Sequence, residues 1–167
     1  SNLNFFNIKQ HKKVYLVTSS VSGEGKTYIA ANLGIVFAKS GKKTLVIGAD
    51  LRKPKLYATF GFDNLQGVSS HMFSDLALSE VILKSEIDNL DVLIAGPIPS
   101  NPSDALLTER FTEMMKELKN KYDVIILDTP PLGLVTDALT LMKYSDTNLY
   151  VTRQNYTRKG LLTYVDD

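Results

Sequence analysis

The stretch that decides the fold is Val14-Tyr15-Leu16-Val17-Thr18-Ser19-Ser20-Val21-Ser22-Gly23-Glu24-Gly25-Lys26-Thr27. Its opening is a short apolar run with the composition of a buried strand. Residues 20–27 then read Ser-Val-Ser-Gly-Glu-Gly-Lys-Thr, and a helical pattern follows at once. A glycine-bearing turn between a strand and a helix is the setting a phosphate-binding loop requires. Gly23 and Gly25 allow the backbone to curl so that successive N–H groups face phosphate oxygens. The helix adds the positive end of its dipole. Lys26 can then reach the β- and γ-phosphates, and Thr27 offers its hydroxyl to Mg2+. Ser20 stands where the usual loop has its first glycine. A turn with a surface lysine would explain the glycines but not their position between strand and helix.

Outward from this loop, short β-branched runs alternate with helical patterns. The runs are Val14-Tyr15-Leu16-Val17, Thr44-Leu45-Val46-Ile47, Leu90-Asp91-Val92-Leu93-Ile94, Val124-Ile125-Ile126-Leu127 and Asn148-Leu149-Tyr150-Val151. Most are apolar on both faces, as parallel strands covered on both sides tend to be. Ile29, Leu33, Val36 and Phe37 recur at helical spacing, with Gly41 where a helix-ending glycine belongs. Asn101 can cap a second helix with Pro102 in its first turn, and Asp104 sits near its positive end. Leu106, Leu107, Phe111, Met114, Met115 and Leu118 form its expected buried stripe. Shorter helical pieces are predicted at 135–142, 56–60 and 78–83, and 161–165 reads as the start of another helix. The alternation predicts an α/β fold: an open, mainly parallel sheet with helices on both faces.

Length and composition agree with this. The 167 residues are enough for one domain with one core, and 44% are hydrophobic and 22% charged. The net charge of +1 disfavours nonspecific nucleic-acid binding. The chain has no cysteine, which excludes disulfides, thiolate zinc sites and a cysteine nucleophile. No apolar run approaches the ~20 residues that span a bilayer. An opening of Ser1-Asn2 without methionine points to a segment cut from a longer protein.

Two further strand ends carry chemistry. Val124-Ile125-Ile126-Leu127-Asp128-Thr129-Pro130-Pro131 ends in a carboxylate, the arrangement that holds Mg2+ or its bound water beside a phosphate loop. Val46-Ile47-Gly48-Ala49-Asp50-Leu51-Arg52-Lys53-Pro54 ends another strand. Asp50 there can receive the proton of an attacking hydroxyl, and Arg52 can steady phosphate charge. Without the loop, the Asp128 segment could be a plain strand-ending turn and Arg52-Lys53-Pro54 only a solvated loop.

These motifs, together with Ala95-Gly96-Pro97-Ile98-Pro99-Ser100-Asn101-Pro102-Ser103-Asp104-Ala105-Leu106-Leu107 between them, occur in one order. In that order the chain resembles the bacterial tyrosine kinases, the cytoplasmic parts of polysaccharide co-polymerases, from about residue 3 to 159. The resemblance implies a single P-loop kinase domain over 1–167, cut short at both ends. It implies Walker A, A′ and B roles for residues 20–27, 48–52 and Asp128. Nucleotide contacts fall on Ser22, Gly23, Glu24, Gly25, Lys26, Thr27 and Tyr28. Mg2+ contacts fall on Thr27, Asp128 and Asp50, and catalysis on Lys26, Asp50, Arg52 and Asp128. The implied reaction is ATP-dependent phosphorylation of a C-terminal tyrosine cluster, in trans between neighbouring copies, regulating exopolysaccharide or capsule export. The implied partners are further copies of the chain, a transmembrane co-polymerase part on the same or a separate chain, and a phosphotyrosine phosphatase. The implied location is the cytoplasmic face of the bacterial plasma membrane.

Three departures accompany the resemblance. Gly48 replaces the first aspartate of the usual Asp-x-Asp-x-Arg segment. The Glu-x-x-Arg-x-Arg helix that normally precedes the first strand is absent. The eight tyrosines are scattered rather than clustered, and most of them fit core positions better than phosphosites. Two other readings stay open: a nucleotide-binding regulatory module that transfers nothing, kept alive by Gly48, and a partition or septum-site ATPase. Val21 stands where those ATPases carry a second lysine, and that counts against the latter.

Overall fold

A computed structural model describes residues 12–23, 25–132 and 136–153. The expected runs all form strands: β1 Lys13–Ser19, β2 Thr44–Gly48, β4 Leu90–Leu93, β5 Val124–Asp128 and β6 Thr147–Val151. A two-residue strand, β3 Leu83–Lys84, pairs antiparallel with β4; the helical piece expected over 78–83 stops at Val81, because Ile82 is extended and Leu83 pairs with Val92. The sheet runs β3-β4-β2-β5-β1-β6, and every other pairing is parallel. The register aligns Asp128 with Val17 on one side and Gly48 on the other. The carboxyl ends of β1, β2 and β5 therefore share one edge, where ligands bind in open α/β sheets.

Strand side chains alternate between two apolar layers. Leu16, Ile47, Ile125 and Leu127 enter one layer, where Phe111, Met114, Met115 and Leu118 of helix α6 (Glu109–Lys121) meet them. Val17, Val46 and Ile126 enter the other, with Ala30 and Ala38 of helix α1 (Lys26–Lys39). Helices thus cover both faces, as the strand composition predicts.

The α1 face differs from the stripe read in the sequence. Ala30, Ala31, Gly34 and Ala38 are buried, whereas Ile29 and Val36 are exposed and Leu33 and Phe37 only half-buried. Close approach explains this choice. A Cβ on Gly34 would stand 2.4 Å from Val46 Cγ2, so only small residues fit where the helix lies on β2. Packing distance, rather than hydrophobicity, selects the buried face here. Gly41 does end the helix, with φ 89° and its N–H on the Ala38 carbonyl at 3.0 Å.

The stretch 101–118 is two helices rather than one, α5 (Pro102–Leu106) and α6. Thr108 starts the second, its hydroxyl accepting from Phe111 N at 3.2 Å while donating to the Ala105 carbonyl at 2.9 Å. Leu107 consequently points to solvent, and the rest of its expected stripe is buried. Asn101 occupies the α5 cap position but makes no side-chain cap bond.

The shorter pieces appear as α2 (Leu56–Thr59), α4 (Leu78–Val81) and α7 (Asp137–Leu141), the last continuing into a 3-10 turn at Met142–Tyr144. Helix α3 (Val68–Phe73) is an addition. The piece at 161–165 lies outside the described residues, as do the N-terminal segment and Glu24.

Candidate active site

The loop after β1 reaches α1 through two left-handed glycines, Gly23 at φ 86° and Gly25 at φ 81°. A Cβ on Gly25 would meet nothing within 4 Å, so backbone conformation rather than crowding selects glycine there. Neighbouring strand ends brace the loop. Leu132 N donates to the Ser19 carbonyl at 2.8 Å, and Thr18 Oγ1 donates to the Pro130 carbonyl at 3.0 Å. Ser20 Oγ and Tyr150 Oη share a hydrogen bond to β6. Arg153 Nη1 donates to the Gly23 carbonyl at 3.3 Å.

The first turn of α1 points into a cleft of about 230 Å³. Lys26 Nζ donates to Asp128 Oδ1 at 2.8 Å, and Thr27 Oγ1 donates to Asp128 Oδ2, also at 2.8 Å. Asp128 is buried. Burial raises its carboxyl above the usual range, and Asp50 nearby adds to that; the Lys26 charge and the hydrogen bonds from Lys26 and Thr27 act the other way. Asp50 lines the same cleft, where its Oδ1 accepts from Arg52 N at 3.2 Å and Lys53 N at 3.0 Å. Its Oδ2 accepts no hydrogen bond among the described residues.

The oxygens gathered here suit a hard cation. Mg2+ takes few protein ligands and keeps several waters and substrate phosphates, and Thr27, Asp128 and Asp50 offer a hydroxyl and two carboxylates. Among the described residues no group of three His, Cys, Asp or Glu side chains forms a cage. An ion held partly by water and phosphate therefore fits this cleft, and an all-protein site does not.

The sequence-predicted residues fall into three groups. Ser22, Gly23, Gly25, Lys26, Thr27, Tyr28 and Asp50 line the cleft, and Asp128 lies directly behind Lys26 and Thr27. Glu24 lies outside the described residues. Arg52 is the exception, being absent from the lining. Its Nε donates to Asp137 Oδ2 at 3.0 Å, so the guanidinium is committed elsewhere and does not front the cleft. Lys53 and Lys55 line the cleft without having been singled out. The basic run Arg-Lys-Pro-Lys at 52–55 was the available signal, but it did not say which cations turn inward. Of the tyrosines, Tyr122 and Tyr144 are core residues and Tyr28 is exposed, while Tyr156 and Tyr164 lie outside the described residues.

Comparison with known proteins gives the family. The chain is 38% identical to the tyrosine-protein kinase YwqD of Bacillus subtilis over 95% of its own length and 67% of that protein's. It belongs to the bacterial tyrosine kinases. Residues 12–166 also match the AAA domain family. CapB of Staphylococcus aureus is 40% identical over 83% of this chain, and the match spans 60% of CapB, less than two thirds of its length. Among solved structures, the kinase domain of the Escherichia coli tyrosine kinase ETK superposes with a TM-score of 0.89 at 29% identity, covering 97% of this chain and 64% of that one. The septum-site-determining protein MinD of Pyrococcus horikoshii, complexed with Mg-ADP, superposes with a TM-score of 0.71 at 27% identity, over 84% of this chain and 57% of that one. The bacterial tyrosine kinase fold is therefore a branch of the P-loop sheet that MinD also uses.

Proposed function

We propose that this chain is the catalytic domain of an ATP- and Mg2+-dependent protein tyrosine kinase. The observation that carries the reading is the convergence of Lys26, Thr27 and Asp128 beside an Asp50 with one carboxylate oxygen that accepts no hydrogen bond among the described residues. The loop N–H groups and the start of α1 would hold the nucleotide phosphates, and the Lys26 ammonium would neutralise charge on the γ-phosphoryl. Thr27 and Asp128 would hold Mg2+, with Asp50 beside them. Bound there, Mg2+ would offset the charge that builds on the phosphate oxygens.

Asp50 Oδ2 would accept the hydrogen of a tyrosine hydroxyl and so aim its oxygen at phosphorus. As the tyrosine O–P bond forms, the bond from phosphorus to the ADP oxygen breaks, and the phenolic proton passes to Asp50. Positioning and charge stabilisation supply most of the acceleration in this chemistry, which suits a site without a covalent nucleophile.

The acceptor in this reading is a tyrosine cluster at the C-terminal end of a neighbouring copy, and the setting is exopolysaccharide or capsule export. The partners would be a transmembrane co-polymerase part and a phosphotyrosine phosphatase, at the cytoplasmic face of the membrane. Among the described residues no helix is long and apolar enough to cross a bilayer, so membrane attachment would come through another segment or chain. Gly48 favours one second reading, a nucleotide-binding module that transfers nothing. Incubation with Mg·ATP and a tyrosine acceptor, followed by detection of phosphotyrosine, separates the two.

A further inference from the structure

One loop and two helices meet at one buried carboxylate outside the nucleotide cleft. Asp137, in the first turn of α7, is 2% exposed. Its Oδ2 accepts from Arg52 Nε at 3.0 Å and its Oδ1 from the Ser103 hydroxyl. Arg52 Nη2 donates in turn to Ser103 Oγ, which closes a triangle of side chains. The corners come from the loop after β2, from α5 and from α7. Ser103 belongs to the Gly-Pro-Ile-Pro-Ser-Asn-Pro-Ser segment, which does not line the nucleotide cleft.

Stability does not account for such an arrangement. Asp137 is buried but the Arg52 side chain is 40% exposed, and an ion pair with one partner in solvent contributes little free energy, so its value lies more in geometry. What the triangle fixes is the backbone of the loop that carries Arg52. The N–H groups of Arg52 and Lys53 both donate to Asp50 Oδ1. With Oδ1 held twice, rotation of the carboxylate is arrested and Oδ2 is left to the cleft. Arg52 thus joins the buried Asp137 to the orientation of Asp50 over a short path of hydrogen bonds.

We propose that Ser103 and Asp137 are positioning residues for phosphoryl transfer: by clamping the Arg52 guanidinium they fix the 50–53 loop and aim the Asp50 carboxylate at the acceptor hydroxyl. This assignment rests on the kinase reading, in which Asp50 orients the tyrosine. It moves Arg52 from contact with phosphate to support of Asp50. It also gives the proline-rich segment a task, since that segment delivers Ser103 to the clamp.

The test is a mutant cycle on full-length protein, read by phosphotyrosine formation and by amide hydrogen exchange. Ser103→Ala is expected to lower kcat for transfer about 10-fold, because small displacements of a catalytic group are costly. KM for ATP should stay within about twofold, since the phosphate loop is untouched. Ser103→Thr keeps the hydroxyl and should restore most of kcat. The Arg52 and Lys53 amides should exchange about 10-fold faster in Ser103→Ala than in wild type. In an Asp50→Asn background, Ser103→Ala should change kcat by less than about twofold, because residues acting through one group are not additive. Full additivity, unchanged amide exchange or an unchanged kcat in Ser103→Ala would each overturn the proposal. Failure of the kinase reading looks different: wild type forms no phosphotyrosine, while the exchange comparison still decides whether the clamp holds the loop.

Discussion

Lys26 Nζ stands 2.8 Å from Asp128 Oδ1, with the two side chains 9% and 3% exposed. The pair joins the first turn of α1 to the end of β5, and the parallel register of β1 with β5 sets its span. A nearly dry ammonium has few competing partners. In the proposed reaction it would meet phosphate oxygen, to which charge-assisted hydrogen bonds are roughly twice as strong as neutral ones. Asp50 shares the cleft but bonds neither Lys26 nor Thr27. The two carboxylates occupy different settings, in keeping with the different tasks proposed for them.

Replacing each residue should separate binding from transfer. Lys26→Met is expected to abolish both nucleotide binding and phosphotyrosine formation. Asp50→Asn is expected to leave ATP affinity within about threefold and to slow transfer by about 10²–10⁴-fold, the range for loss of a positioned acid–base group. Calorimetric titration with ATP, run beside the transfer assay, checks both. Equal loss of affinity in the two variants would make Asp50 a binding residue.

Gly48 offers a second comparison. Its φ is not in the left-handed region, but a Cβ there would lie 3.1 Å from the Ala95 backbone nitrogen and 3.5 Å from Leu56 Cβ. A side chain therefore fits after a shift of a few tenths of an ångström, at a cost of about 1–3 kcal/mol. Gly48→Ala should lower the melting temperature without altering the Mg2+ requirement. Gly48→Asp should show a similar thermal loss, with half-maximal phosphorylation at a Mg2+ concentration lower by about 10-fold, as expected when a carboxylate joins the ion's water shell. Identical Mg2+ curves for all three proteins would mean that the glycine is silent for the metal.

Gly34 should matter for stability and not for chemistry. Gly34→Ala gains about 1 kcal/mol in helix propensity. The new methyl, however, would meet Val46 Cγ2 at 2.4 Å, and Val46 is fully buried and stiff about χ1. The expected outcome is a lower melting temperature, by roughly 2–4 °C for each kcal/mol lost, with unchanged nucleotide affinity. A melting temperature at or above wild type would contradict the close-packing account of α1.

Tyr122 gives stability an alkaline dependence. Its hydroxyl donates to Asp91 Oδ2 at 2.6 Å, and burial together with that hydrogen bond and the Asp91 charge pushes the phenol well above its ordinary value of 10.0. Above about pH 10 the unfolded chain loses this proton while the folded one keeps it, so stability falls as pH rises. Tyr122→Phe cannot titrate. Urea unfolding at pH 8 should find wild type more stable by about 1 kcal/mol, and the gap should close by pH 11. A gap that is the same at both pH values would contradict the assignment.

What was legible in the sequence follows from how local each signal is. The phosphate loop is a contiguous run with its own strand and helix, so Lys26, Thr27 and the cleft were readable from neighbours in the chain. The five longer strands were legible for the same reason, through continuous β-branched runs. The buried face of α1 was not, because it depends on how near β2 lies, and Ile29 and Val36 imitate a core stripe. Thr108 split a continuous apolar pattern by capping from within it. The clamp on Arg52 was the least legible element: Ser103 and Asp137 are far from Arg52 in sequence, and although Ser103 lies in the proline-rich segment, nothing in that segment says which side chain it meets. Only the sheet order brings the three together.

The most direct test of the central claim is transfer of γ-labelled phosphate from Mg·ATP to tyrosine by wild type and by Lys26→Met. The account expects phosphotyrosine to form with wild type and to vanish with Lys26→Met. Tight binding of Mg·ATP by wild type with no phosphotyrosine, even when a tyrosine-rich acceptor is supplied in excess, would contradict it and leave a nucleotide-binding module in place of a kinase.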